Sequence, residues 1–237
     1  CGRSGARLPK ADVDSTELKD FFRSQVRDDV APYLWTDAEV FVYMDAAQKM
    51  FVRATGGIFD ISSEACEVTV AAGEKYSELH PAILHVRRAL WEGARELKLV
   101  NMADTALMTQ SSDYSLVTNI ALSDVPGTVT HMVIGEERGT CRWVQVPDTD
   151  GVVNLSVARL PLADITTDGQ EFEVSAEHHM YLADYMKSLA YSKQDADAFN
   201  PKAAADSDAR FSAYCQRVWK EWERYRHKPR TVAYGGL

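Results

Sequence analysis

The sequence predicts an α+β fold in which a four-helix bundle is built from the two chain ends and an antiparallel β region is inserted between them. Three observations carry this. Apolar residues recur at a period near 3.6 between residues 15 and 55, at a period of 2 between 58 and 172, and near 3.6 again from 175 to 226. The expected organisation is a mobile N-terminal arm (1–14), a discontinuous helical domain (15–57 plus 173–227), a β domain (58–172) and a C-terminal tail (228–237).

The arm carries Gly2, Gly5, Pro9 and the basic residues Arg3, Arg7 and Lys10 with no apolar period. From Ser15, residues Leu18, Phe22 and Val26 recur every four positions and Pro32 closes the stretch, giving a helix over about 15 to 30. Thr36-Asp-Ala-Glu39 is a capping-box pattern, since the Thr36 hydroxyl can accept from the Glu39 backbone while the Glu39 carboxylate reaches back. Val40, Met44, Ala47 and Phe51 continue the stripe, and Gly56-Gly57 ends it near 55.

Strand signals follow. Cys66, Val68 and Val70 alternate with Glu67 and Thr69, and Leu84, Val86, Arg88 and Leu90 alternate with His85, Arg87, Ala89 and Trp91 before a Glu92-Gly93 turn toward Leu97 and Leu99. Gly135 and Gly139 bracket a second hairpin between 129–134 and 140–146, and Val153, Leu155 and Val157 alternate before Pro161. A short helix is expected at 102–109. The helical period returns with Leu182, Tyr185, Met186 and Leu189, for which Ser175 is the expected N-cap and Glu177 complements the positive helix end. Asn200-Pro201 marks another start, and Phe211, Tyr214, Cys215, Val218, Trp222 and Tyr225 carry the last helix to about 226.

Composition narrows the function classes. The 237 residues have a net charge of −9, which opposes broad capture of nucleic acid by phosphate neutralisation but suits a wall past which DNA slides without sticking. No run approaches the roughly eighteen apolar residues that span a bilayer, and the start does not resemble a signal peptide, so a product made in the cytoplasm is expected. Cys1, Cys66, Cys141 and Cys215 lack paired CxxC spacing and read as reduced thiols.

Chemical motifs are sparse. His179 and Asp184 are five residues apart, about 140° around a helix, so His178, His179 and Asp184 do not form a ligand set. Gly56-Gly57 and Gly235-Gly236 lack the strand-turn-helix context that holds phosphates. Gly2-Arg-Ser4-Gly5 is no nucleophile elbow, and acidic pairs such as Asp28-Asp29 and Glu136-Glu137 fit solvated turns. No catalytic residue, metal ligand or cofactor is expected.

The C-terminus stands apart, being basic and aromatic on an acidic chain. Trp219, Trp222, Arg224, Tyr225 and Arg226, followed by Lys228, Arg230 and Tyr234, concentrate the side-chain types that dominate interface energy. One reading is a helix with a buried face and a solvated basic one; another is a docking element for a partner; a third is base stacking by nucleic acid.

Leu34-Trp-Thr-Asp-Ala-Glu-Val-Phe-Val-Tyr-Met-Asp-Ala-Ala-Gln48 resembles the opening helix of head-to-tail adaptor proteins of tailed, short-tail-style bacteriophages. Ala71–Tyr76 with Leu79–Leu84, Val125-Pro-Gly127, Val157–Pro161 and His178–Asp197 are similar to later segments of that group, in order. The resemblance implies a structural, non-enzymatic virion protein at the head–tail junction. Its copies would form a ring of about twelve under the portal protein, through head-to-tail interfaces, with no membrane contact. It would receive a tail nozzle or tail tube protein and leave a channel for DNA; the docking element at Trp219–Tyr234 is then the expected portal contact. The alternatives are a virion-associated cell-wall hydrolase, or an envelope lipoprotein anchored through Cys1.

Overall fold

A computed structural model of the chain describes residues 13–101, 122, 125–194 and 198–226. The fold is α+β, and the described residues divide into two compact units, one running to Gly56 and resuming at Pro161, the other from Gly57 to Leu160. The arm before Val13, the helix expected at 102–109 and the tail 228–237 lie outside the described residues.

The first unit holds four helices among the described residues: α1 (Ser15–Val26), α2 (Asp37–Ala54), α3 (His179–Ser192) and α4 (Pro201–Arg226). Asp14 caps α1 by accepting from the Glu17 N–H at 2.9 Å. The helix is shorter than its sequence pattern because Arg27 turns left-handed at φ 59° and the next N–H, that of Asp28, returns to the Arg23 carbonyl. The capping box forms as expected: the Glu39 N–H donates to Thr36 Oγ1 at 3.3 Å, and the Thr36 N–H donates to Glu39 Oε2 at 3.0 Å.

Between α1 and α2 the link drives Trp35 into the core, edge-on to Phe22 and Tyr191. It is held there by a charge cluster centred on the buried Arg23. Arg23 donates to Asp28 at 2.6 Å, to Asp37 at 2.6 Å and to the Trp35 carbonyl at 3.0 Å, so its guanidinium is compensated where it leaves water. Leu18, Phe22, Met44, Leu182 and Met186 are fully buried, and α3 packs against each of the other three helices.

Ser175 does not cap α3, contrary to the sequence expectation. A 3-10 turn, Ala176–His178, intervenes, and neither Ser175 nor His178 makes a side-chain cap. Asn200, by contrast, caps α4 as expected, its side chain accepting from the Ala203 N–H at 3.0 Å.

The second unit contains β1 (Ile58–Asp60), β2 (Glu67–Val70), β3 (Tyr76–Glu78), β4 (Ile83–Trp91), β5 (Arg95–Asn101), β6 (Pro126–Gly127), β7 (His131–Ile134), β8 (Thr140–Trp143), β9 (Val146–Pro147) and β10 (Gly151–Arg159). The main sheet runs β1-β10-β4-β5-β7-β8-β3, with β2 also on β10. It curls, bringing β3 beside β2, where Ser77 donates to the Thr69 carbonyl and receives the Trp143 indole N–H. Val68, Leu97, Met132, Trp143, Val153 and Leu155 fill its interior.

Two expectations for this region fail. The main sheet is mixed, not antiparallel, because β5 and β7 pair in parallel, and β6 and β9 form a separate two-stranded parallel sheet. The chain between Asn101 and His131 is long enough for the crossover that a parallel pair requires. Strict alternation along β4 also fails: the register on β10 slips twice, leaving Arg87 and Leu84 as the extra residues of two bulges. Strand structure ends at Arg159, and residues 161–174 instead hydrogen-bond to the helices, with the Ser15 N–H donating to the Gln170 carbonyl and the Ile165 N–H to Asp45.

Candidate partner-docking surface

The site begins with a mismatch of helix lengths. The start of α3 meets the middle of α4: Tyr185 packs on Phe211, Tyr181 on Tyr214, and the Asn200 N–H donates to the Tyr191 carbonyl. With 26 residues against 14 in α3, and about 1.5 Å per residue, α4 is about 18 Å longer and runs on past the start of α3. Its core stripe continues with it. Phe211, Cys215 and Val218 are buried, whereas Trp222, next on the same face, is 47% exposed.

Where α3 begins, a groove of about 710 Å³ opens between the two helices. Glu177 and His178 form one wall; Tyr214, Arg217, Glu221 and Trp222 form the other. Its floor is rigid. The Tyr181 and Tyr214 rings stack at 3.5 Å, the Arg217 guanidinium lies 4.9 Å from the Tyr214 ring, and His178 Nδ1 shares a 2.8 Å hydrogen bond with the Tyr214 hydroxyl. Burial holds His178 below the ordinary imidazole range, with His179 adding to the effect, and it pushes the Tyr214 hydroxyl up to about 12, with Tyr181 adding to it. At neutral pH the floor is therefore an uncharged His–Tyr pair beneath a stacked Arg, flanked by the exposed carboxylates of Glu177 and Glu221.

The expected docking residues separate into groups. Trp219 is half-buried, its ring lying against Gly56 at the end of α2. Trp222 and Arg224 are exposed. Tyr225 and Arg226 form the last residues of α4, and Lys228, Arg230 and Tyr234 lie outside the described residues. Sequence reasoning missed Glu177, His178 and Tyr181 as parts of this surface, because they join it only through the packing of the α3 start on α4; no local spacing signals that.

His178 and His179 are both engaged: His179 Nε2–H donates to the Val174 carbonyl at 2.7 Å, while Asp184 pairs with Lys187 at 2.7 Å. Among the described residues, no group of three or more His, Cys, Asp or Glu side chains is placed to hold a metal ion, and no helix is long and apolar enough to cross a membrane. Cys66, Cys141 and Cys215 are free and buried. What the surface offers is aromatic area, one stacked cation and two carboxylates, which is the chemistry of protein recognition.

A family model described as SU10 adaptor protein matches residues 15–233. The chain belongs to the SU10 adaptor protein family. The match bears out the resemblance to phage adaptor proteins and covers both structural units of this adaptor. A search of curated proteins found no match.

Proposed function

We propose that this adaptor is a structural virion protein of a tailed phage, not an enzyme, and that it acts at the head–tail junction. In this reading it binds the portal protein, closes with further copies into a ring of about twelve, and forms the platform for a tail nozzle or tube protein. A net charge of −9 favours passage of DNA through such a ring without specific binding. The portal contact is the end of α4 with its continuation: Trp222, Arg224, Tyr225, Arg226, Lys228, Arg230 and Tyr234, with Trp219 anchoring the helix that carries them.

The observation that carries this reading is the continuation of a core stripe into solvent. A helix that extends its apolar face past its own partner, ending in exposed Trp and Arg, presents a seam for another helix or groove to cover. Native mass spectrometry of the adaptor mixed with portal rings tests it, using the full chain and the Trp222→Ala and Arg224→Glu variants. Several copies adding to each ring, and fewer with either variant, support the reading. Undiminished addition of both variants moves the contact elsewhere, and no addition of the unmodified chain overturns portal binding.

A further inference from the structure

We infer that two separate walls of the β unit, a basic one on β4 and β5 and an acidic one on β2 and β3, are the surfaces through which one copy of this chain contacts the next. The inference rests on the reading that copies close into a ring, and it names the faces that meet.

The pleat creates both walls. Along β4 and β5, Val86, Ala89 and Leu97 fill the interior, so His85, Arg88, Glu96 and Lys98 point outward, and the bulge leaves Arg87 exposed beside them. Glu96 is taken by Arg88 at 2.9 Å, whereas Arg87 and Lys98 meet no carboxylate among the described residues. Along β2 and β3, Val68, Val70 and Ser77 are buried, which turns Glu67, Thr69, Tyr76 and Glu78 outward, with Glu74 exposed in the turn between the strands. None of Glu67, Glu74 and Glu78 has an ion-pair partner among the described residues, and Arg142 on the adjoining β8 pairs with Glu136 at 3.5 Å. Even with Lys75 in the turn, this wall is negative.

Strand order keeps the walls apart. In the curled sheet β7 and β8 separate them on one side and β10 on the other, so they look in different directions and do not neutralise each other within one copy. Complementary charges on two different faces of the same chain are what a head-to-tail contact requires, and the rotation between the faces lets its repetition close.

A second copy is the occupant that uses both walls. Duplex DNA would engage the basic wall alone, where Arg87 and Lys98 are too few for firm phosphate capture, and the acidic wall would repel it. Exposed apolar surface adjoins each wall for such a contact to bury: Phe59, which Arg87 touches yet which stays more than half exposed, and Tyr76.

The test loads portal rings with a mixture of isotopically labelled and unlabelled full chains carrying photoreactive benzoylphenylalanine at position 85, and maps the cross-links by peptide mass spectrometry. The expected links join position 85 of one copy to residues 67–78 of another. They fall roughly tenfold in an Arg87→Glu, Lys98→Glu double variant. They return when Glu67→Lys and Glu78→Lys are added to the same chain. Links confined to one copy, links to other parts of a neighbour, or links indifferent to the reversal overturn this interface while leaving the ring. Links that persist in the double variant while its retention on duplex DNA is lost overturn it too, and assign the basic wall to DNA. If native mass spectrometry finds no more than one unmodified chain on each portal ring, the ring and the interface both fall.

Discussion

The Trp219 ring lies so close to Gly56 that a Cβ built on the glycine would sit 2.3 Å from Cζ3. Gly56 also holds φ +87°, where an L side chain is strained. Gly73 has the same φ with nothing within 4 Å, so it isolates the strain. Gly73→Ala should cost about 1 kcal/mol. Gly56→Ala, which must also displace the indole, should cost about 2 to 3 kcal/mol in urea unfolding of the full chain. Equal losses at the two glycines would mean that the ring is free to move.

The two tryptophans of α4 should therefore behave differently. Trp219→Ala removes a half-buried ring and should lower stability by about 2 kcal/mol, with the loss read by chemical denaturation. Trp222→Ala changes a side chain that is 47% exposed and should cost less than Trp219→Ala, about 1 kcal/mol, in the free protein. Its effect belongs in the proposed portal complex, where a hot-spot tryptophan is worth about 2 kcal/mol or more, a loss of affinity of at least roughly thirtyfold. A Trp222→Ala protein that unfolds early would place the residue in the core instead.

Asp60 and Arg159 form a nearly buried ion pair in the β unit. Burial alone would raise the Asp60 pKa, but the Ser62 and Ser63 N–H groups and the Arg159 guanidinium together hold it well below its ordinary 3.8. A carboxyl whose folded pKa is depressed stabilises fully above its unfolded pKa, and that stabilisation is lost as pH falls below it. Asp60→Asn, which removes the carboxylate to which Arg159 Nε donates, should cost about 2 kcal/mol at neutral pH. The gap between variant and parent should narrow by about 1 kcal/mol between about pH 5 and about pH 3. Denaturation midpoints across that range measure it, and a gap independent of pH would show that Asp60 does not titrate differently on unfolding.

Burial pushes the Cys141 thiol up to about 12 and the Cys215 thiol up to about 11, and it raises Cys66 as well. At pH 8 a thiol near 11 is ionised in only about one molecule in a thousand, and the thiolate is the nucleophile. Iodoacetamide should thus leave these three cysteines unmodified in the folded protein and alkylate them after unfolding, as read by peptide mass spectrometry. Rapid native alkylation at Cys215 would mean that α4 lifts from α3.

How much of this was legible in the sequence depended on the range of the interaction. Thr36 with Glu39, Asn200 with Pro201, and the Gly135 and Gly139 turns are signals complete within a few residues, and each forms as read. Ser175 misled because a 3-10 turn displaces the start of α3 to His179. The β5–β7 pairing joins residues about thirty apart, and neither strand's alternation states the direction of its neighbour. At the candidate surface the sequence showed the chemical character of the C-terminus but not its division: only the position of Gly56 distinguishes an anchored Trp219 from an exposed Trp222.

The sharpest departure from sequence pattern lies in β4, and it can be tested there. Alternation places Val86, Arg88 and Leu90 on one face, but the bulge at Arg87 pairs Val86 with Val157 and Ala89 with Leu155, both on buried positions of β10. The bulge leaves Arg87 and Arg88 exposed side by side, while Ala89 is fully buried. Arg88 does pair with Glu96 at 2.9 Å, yet both side chains are more than half exposed, so Arg88→Ala should change stability by less than about 0.5 kcal/mol. Ala89→Asp forces a carboxylate into the interior of the curled sheet and should cost more than about 4 kcal/mol, enough to abolish soluble expression. Circular dichroism and yield of the two variants decide between the patterns. A tolerated Ala89→Asp with a damaging Arg88→Ala would restore strict alternation and remove the bulge.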